Sequence, residues 1–91
     1  MRVQFTAVHL VGGTRHEHIA NLKATDPATG RKYDDTRSEW VKFMNSGNSG
    51  YVRDQYGNQA EVGVRSNGAT SWLQTHADGI WTDNLLALPR Y

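Results

Sequence analysis

The segment TRSEWVKFMNSG, residues 36–47, carries the clearest helical pattern in the chain. Thr36 is followed three residues later by Glu39, which matches a capping box at a helix start. The apolar stripe that follows comprises Trp40, Val41, Phe43 and Met44. The spacing predicts a helix of about three turns that ends near Gly47. Because so short a helix is not stable in isolation, a sheet must receive its apolar face.

The rest of the chain consists of short strand patterns separated by turn residues. The strand patterns cover residues 2–11, 18–25, 50–54, 59–66, 72–76 and 80–82. Turns are predicted at Gly57-Asn58, at residues 66–70 and at Asp78-Gly79. Most connections are short, so neighbouring strands should pair antiparallel. We therefore expect an α+β fold, with a mostly antiparallel sheet of four to six strands and one short helix packed on one face.

Length and cysteine content restrict the chain further. With 91 residues and no cysteine, we expect a single domain over residues 1–91 with a small core. Disulfide bonds, thiolate catalysis and cysteine-based metal sites are excluded. No apolar run reaches the ~18 residues of a membrane span, and the N-terminus lacks a signal-peptide pattern. These features predict a cytoplasmic protein that makes no membrane contact.

The charge pattern argues against general nucleic-acid binding. The formal net charge is +1 and the basic residues are spread along the chain, so long-range attraction to a phosphate backbone is weak. In the turn at residues 12–15, Gly12, Gly13 and the amide of Thr14 could form a small anion nest. Weak nucleotide or nucleic-acid binding near this turn is kept as a minor alternative.

Catalytic motifs are not found. The chain has many hydroxyl side chains but lacks a nucleophile elbow of the form G-x-S-x-G. The glycine-rich turn at residues 12–13 most plausibly joins two strands, whereas a phosphate-binding loop opens a helix. We therefore expect a non-enzymatic protein with no catalytic residue and no cofactor.

Three histidines form a candidate metal site. His16 and His18 lie two positions apart, and such residues share a face if they belong to a strand. Together with His76 they would offer imidazole ligands of the kind that zinc accepts. The segment HEHIA lacks the second histidine of H-E-x-x-H, however. We favour the alternative that these are an exposed loop histidine and one that hydrogen-bonds a neighbouring strand.

Aromatic residues and arginines of the second half suggest a binding surface. Candidate binding residues are Trp72, Trp81, Tyr51, Tyr56, Arg53 and Arg65. Tryptophan, tyrosine and arginine are enriched at the centres of protein interfaces. The alternative is that these aromatic side chains only cover the second face of the sheet. The leading hypothesis is a small binding module that contacts a protein partner or another copy of itself.

Several segments together resemble a known family. They are FTAVHLVGGTRHEHIANLKATDPATG, TRSEWVKFM and LQTHADGIWTDNLLALPRY, which include the HEHI step and a terminal D-G followed by N-L-x-x-L-P. Over nearly its whole length the chain is similar to the small bacterial and phage family known as domain of unknown function 3892. The resemblance implies a compact stand-alone domain, and it assigns no catalytic residue.

Overall fold

One sheet dominates the molecule. A computed structural model describes residues 1–77 and 79–91, and within them the chain forms seven strands, one α-helix and a 3₁₀ turn at His16–His18. The strands are β1 (Arg2–Leu10), β2 (Ile19–Thr25), β3 (Lys32–Thr36), β4 (Ser49–Arg53), β5 (Gln59–Ser66), β6 (Ser71–Ala77) and β7 (Ile80–Thr82). The helix α1 (Arg37–Asn45) lies between β3 and β4 in the chain. No helix in the described ranges is long and apolar enough to cross a membrane.

The sheet is mixed, with strand order β3-β2-β1-β4-β5-β6-β7. β1 pairs antiparallel with β2 on one side. On its other side it pairs parallel with β4, where Arg2 to Gln4 lie opposite Ser49 to Tyr51. The other strand pairs are antiparallel. The chain that joins β1 to β4 contains β2, β3 and α1, which is the long crossover that a parallel pair requires.

The expected mostly antiparallel α+β sheet of four to six strands is therefore wrong, because the structure has seven strands in one mixed sheet and a single nine-residue α-helix in its described part. β3, with the sequence KYDDT, was not predicted because its exposed polar residues lack apolar alternation. Short loops indicate antiparallel hairpins. They carry no information about β1 and β4, which are distant in sequence and meet through the crossover.

The predicted helix start is confirmed. The Thr36 side-chain oxygen accepts a hydrogen bond from the Glu39 amide at 3.2 Å, and α1 begins at the next residue, Arg37. Trp40 is only 3% exposed and donates from its indole Nε1 to the Leu22 carbonyl at 2.9 Å. Its ring meets that of Phe5 edge to face, with centroids 5.0 Å apart. The helix is thus held against the sheet by its predicted apolar side.

The core lies between the sheet and the elements on its helix side. Its buried members are Val3, Phe5, Val8, Ile19, Leu22, Ala24, Trp40, Val52, Ala60, Val62, Leu73 and Leu85. Leu85 comes from the segment after β7, so the end of the chain also helps to close the core. The Gly57 turn between β4 and β5 is confirmed, with a φ of 87°.

The C-terminus completes the edge of β1 beyond the short pairing with β4. The Val8 amide donates to the Pro89 carbonyl at 2.9 Å, and the Tyr91 amide donates to the Val8 carbonyl at 3.1 Å. These bonds carry Tyr91 to the sheet face opposite α1, where its ring lies beside Lys23. That face is therefore partly covered over β1–β3 by the last residue of the chain.

Candidate functional site

The opposite face of β4–β7 carries most of the predicted binding residues. Strand alternation and register place on it Tyr51, Arg53, Gln59, Glu61, Gly63, Arg65, Trp72, Gln74, His76 and Trp81. We call this set the open half-face, because the one α-helix of the described residues packs on the other side of the sheet. Cross-strand pairs connect Glu61 with His76 and His76 with Trp81. Five residues predicted from the sequence thus share one surface, namely Tyr51, Arg53, Arg65, Trp72 and Trp81.

Trp81 lies across the sheet above a glycine. A Cβ atom placed on Gly63 would lie 3.1 Å from Cη2 of Trp81 and 3.2 Å from Cδ2 of His76. The missing side chain therefore allows the indole to lie close to the backbone of β5. The rings of His76 and Trp81 meet edge to face, with centroids 5.3 Å apart. Trp81 is held from two sides and remains 39% exposed.

Arg65 stacks on the same indole. Its guanidinium carbon lies 4.8 Å from the centre of the Trp81 ring, a distance typical of a cation–π contact. Its Nη1 donates to Oε1 of Gln74 at 3.1 Å, and Nε1 of Trp72 donates to the same oxygen at 3.5 Å. Gln74 is itself buried and donates from Nε2 to the Thr82 carbonyl at 3.2 Å. A buried amide thus binds both Arg65 and Trp72.

The other end of the open half-face is occupied by an ion pair. Arg2 donates two hydrogen bonds to the Glu61 carboxylate, at 2.8 and 2.5 Å. These bonds hold the pKa of the Glu61 carboxyl below its usual range. The Arg2 guanidinium also lies 4.4 Å from the centre of the Tyr51 ring, and Tyr51 is only 7% exposed. Tyr51 is therefore covered by the chain itself, in contrast to Trp81.

Tyr56 lies away from this surface, whereas Arg53 belongs to it at the end of β4, opposite Gln59. Tyr56 is 80% exposed in the turn between β4 and β5, where its amide donates to Oδ1 of Asp54 at 2.9 Å. Arg53 and Tyr56 line a cavity of about 660 Å³ between this turn and the C-terminal segment. That segment contributes Leu88 and Pro89. Five of the six predicted binding residues thus share the open half-face, and two of them, Arg65 and Trp81, are stacked on each other.

The three candidate metal ligands do not form one cluster. His16 is buried in the 3₁₀ turn, and its Nε2 has no hydrogen-bond partner within residues 1–77 and 79–91. Burial lowers the pKa of His16, although Asp83 and Glu17 oppose the shift. His76 lies beside Trp81 on the open half-face. Across the described part of the chain, no three histidine, aspartate or glutamate side chains are placed to hold a metal ion.

The predicted anion nest at residues 12–15 is partly filled by a histidine ring. A Cβ on Gly13 would lie 2.5 Å from the ring of His18, so the imidazole packs against this glycine. The Arg15 amide donates to Nδ1 of the same ring at 3.2 Å. The ring therefore occupies the space beside Gly13, one of the three residues of the predicted nest. The predicted Asp78-Gly79 turn includes Asp78, which lies outside the described residues.

Two residues of the surface were not found from the sequence. Gly63 and Gln74 each lie inside a predicted strand, and neither is among the predicted binding residues. An isolated glycine inside a strand pattern is a sequence signal of close approach by another group. That signal was available for Gly63, but the approaching Trp81 lies 18 positions later in the chain. Gln74 offers no comparable signal, because its role depends on two side chains that meet it only in the folded sheet.

Comparison with protein families identifies the chain as a member of one of them. The sequence model described as "Protein of unknown function (DUF3892)" matches residues 4–89, and the chain therefore belongs to this family. Comparison with curated proteins and with solved structures gave no match. The resemblance noted from the sequence is confirmed at the level of the family.

Proposed function

We propose that this protein is a non-enzymatic binding module, and that its open half-face contacts a protein partner or a second copy of the chain. The observation that carries the proposal is the exposed Trp81 ring, which is held between Arg65 and His76 and lies over Gly63. An aromatic side chain that only covers a sheet does not need such support from several directions.

Preorganisation supports a binding role. Ordering a flexible side chain at an interface costs roughly 0.5–1.5 kcal/mol. The contacts of Trp81 with Gly63 and of Arg65 with Gln74 restrict both side chains before any partner arrives. Tryptophan and arginine are also the residue types most enriched among those that dominate binding energy. The surface therefore combines suitable chemistry with a low entropic cost of association.

A contact of standard size would also occupy only a modest part of the molecular surface. A standard protein interface buries about 800 Å² on each partner. The accessible surface of the chain is 5467 Å², so such a contact would occupy about a seventh of it. Four strands of the sheet, β4–β7, offer a continuous surface on which this contact can be made.

Site-specific photo-crosslinking tests the proposal. A photoreactive amino acid is placed at Gln59, which is exposed at the start of β5 on the same face as Glu61. The matched control carries the same group at exposed Lys42 on α1. After irradiation in the native cell, we expect a discrete crosslinked species from position 59 and none from position 42. No discrete product from position 59, or equal products from both positions, would contradict the proposal.

Light scattering separates the two kinds of contact. The chain has a mass of 10.2 kDa, so a self-contact gives a purified particle of about twice this mass at high concentration. A contact with a different protein leaves the purified chain monomeric while the crosslinked species in cells persists. Mass spectrometry of the crosslinked peptides then identifies which of the two occurs.

A further inference from the structure

The parallel strands β1 and β4 separate towards their carboxyl ends. Their pairing covers Arg2 to Gln4, opposite Ser49 to Tyr51. Beyond this point β1 leads to β2 on one side of the pair, and β4 leads to β5 on the other. Because the two connections leave in opposite directions, neither covers the gap between the strand ends. In open sheets with parallel strands, ligands bind in crevices of this kind.

The cavity of about 660 Å³ lies in this gap. One wall is the end of β4 with the turn that follows it, and the other is the C-terminal segment, which bonds to β1 at Val8. Apolar surface comes from Leu88 and from Val52 and Ala60, which are paired across β4 and β5. Small-molecule sites generally have volumes of about 300–1,000 Å³. The position and the size of the cavity therefore both suit a ligand-binding site.

Side-chain carboxamides make up most of the polar lining. The chain has ten asparagine and glutamine residues, and four of them line this one cavity, namely Gln55, Asn58, Gln59 and Asn84. A carboxamide both donates and accepts hydrogen bonds, and so does a hydroxyl group. Carboxamides carry no charge, so they do not require an ion as a partner. This lining suits a neutral ligand that carries several hydroxyl groups.

The charged side chains of the cavity also favour a neutral ligand. The Asp54 carboxylate accepts hydrogen bonds from the amides of Tyr56 and Asn58, both at 2.9 Å, and from Nδ2 of Asn58 at 3.2 Å. It is thus committed to the turn. Among the described residues Arg53 is the one cation of the lining, and its Nη2 would lie 3.4 Å from a Cβ atom on Gly57. One cation beside one carboxylate gives the cavity little net charge, which disfavours a nucleotide.

We propose that this cavity binds a neutral oligosaccharide, in which a sugar ring stacks on Tyr56 and the hydroxyl groups bond to the carboxamides. A pyranose ring presents C–H groups on one face and hydroxyl groups around its edge, so it matches an aromatic ring beside amide side chains. Tyr56 lines the cavity and is 80% exposed, and the hydrogen bonds of Asp54 hold the turn that carries it. The inference goes beyond the proposed function, because it assigns a small-molecule site that needs no protein partner.

Chemical-shift titration of the ¹⁵N-labelled chain tests the inference. The probes are three neutral disaccharides, maltose, cellobiose and diacetylchitobiose, and adenosine monophosphate provides the nucleotide arm. Each is added up to about 10 mM, so that dissociation constants in the millimolar range are measured. We expect at least one disaccharide to shift the amide signals of residues 54–60 and 84–88, and to leave those of α1 unchanged.

Matched variants assign the binding to individual side chains. Tyr56→Ala should raise the dissociation constant about tenfold, whereas Tyr56→Phe keeps the ring and should raise it less than about threefold. Asn84→Ala should raise it about three- to tenfold, as for the loss of one hydrogen bond. The control, Asn45→Ala, removes the same group from an exposed position at the end of α1 and should leave it unchanged. Circular dichroism establishes that each variant is folded, and the Asn84→Ala result stands if Tyr56→Ala is not.

Four results would overturn the inference. They are no shift from any of the three disaccharides, shifts confined to residues outside the cavity, tighter binding of adenosine monophosphate than of every disaccharide, and equal loss in Asn84→Ala and Asn45→Ala. None of them bears on the proposed function. That function fails separately, if crosslinking from position 59 yields no discrete product.

Discussion

Two aromatic side chains lie on the same face of the sheet, one over each half. They differ in which groups of the chain bind them. Tyr91 is bonded through its backbone to Val8 and through its hydroxyl to Asp34, and Lys23 covers its ring. Trp81 is supported by Gly63 and contacts Arg65, without a carboxylate partner for that arginine among the described residues. In the first half the chain covers the sheet with its own last residue, and in the second half Trp81 belongs to the surface for which we propose a partner.

The largest expected effect comes from filling the space beneath Trp81. Gly63→Val places a branched side chain where a Cβ atom alone would lie 3.1 Å from the indole. We expect the folded state to lose about 1–3 kcal/mol, as is typical of overpacking. Urea denaturation followed by circular dichroism measures this loss.

The control for Gly63→Val removes the indole. In the Trp81→Ala background, Gly63→Val should lower the free energy of unfolding by less than half as much as in the wild type. The main steric conflict is then gone, and valine favours strands. Part of the loss should remain, because the ring of His76 also lies 3.2 Å from a Cβ atom at position 63. An equal loss in both backgrounds would show that Trp81 does not lie over Gly63 in solution.

The next effect separates stability from binding. Trp81→Ala and Tyr91→Ala each remove a ring that is 39% exposed, so each should cost about 1–2 kcal/mol of stability. Only Trp81→Ala should abolish the crosslinked species obtained from position 59. If Tyr91→Ala abolishes it as well, the two halves act as one surface and the contrast between them is lost.

The parts of this arrangement that could be predicted are local in sequence. The Thr36–Glu39 pair marks the start of α1, and Gly57 marks the turn between β4 and β5. In each case the residues that form the feature lie within a few positions of one another. Capping and turn geometry are set by backbone preferences that a short segment expresses by itself.

The parts that could not be predicted depend on distant partners. β3 is a strand because β2 offers it a partner, although its own sequence, KYDDT, has no buried side. The parallel pairing of β1 with β4 depends on the crossover through α1. The support of Trp81 by Gly63 joins residues from β7 and β5, across the intervening β6. The sequence did indicate the aromatic and arginine residues of the site, but not which of them the chain itself covers.

The smallest expected effect concerns the hydroxyl of Tyr91 at high pH. Burial, together with the hydrogen bond to Asp34, raises the pKa of Tyr91 well above its ordinary value of about 10. The folded protein therefore holds this proton more tightly than the unfolded chain. The resulting stabilisation is complete below the unfolded-state pKa, and it is lost as the pH rises through the higher folded-state value.

Tyr91→Phe removes this dependence and tests how the Tyr91 half is closed. Because the side chain is partly exposed, we expect a loss of only about 0.5–1 kcal/mol at pH 8. Between pH 9 and pH 11 this advantage of the wild type over Tyr91→Phe should shrink, because the hydroxyl ionises in the unfolded chain while the folded protein, in which Asp34 accepts from it, still holds the proton. Urea denaturation at each pH measures the difference, and Tyr56→Phe, at an 80% exposed site, serves as the matched control. If Tyr91→Phe changes stability at each pH no more than Tyr56→Phe does, the Tyr91 hydroxyl is not bound to Asp34. The two halves of the face would then be equally open.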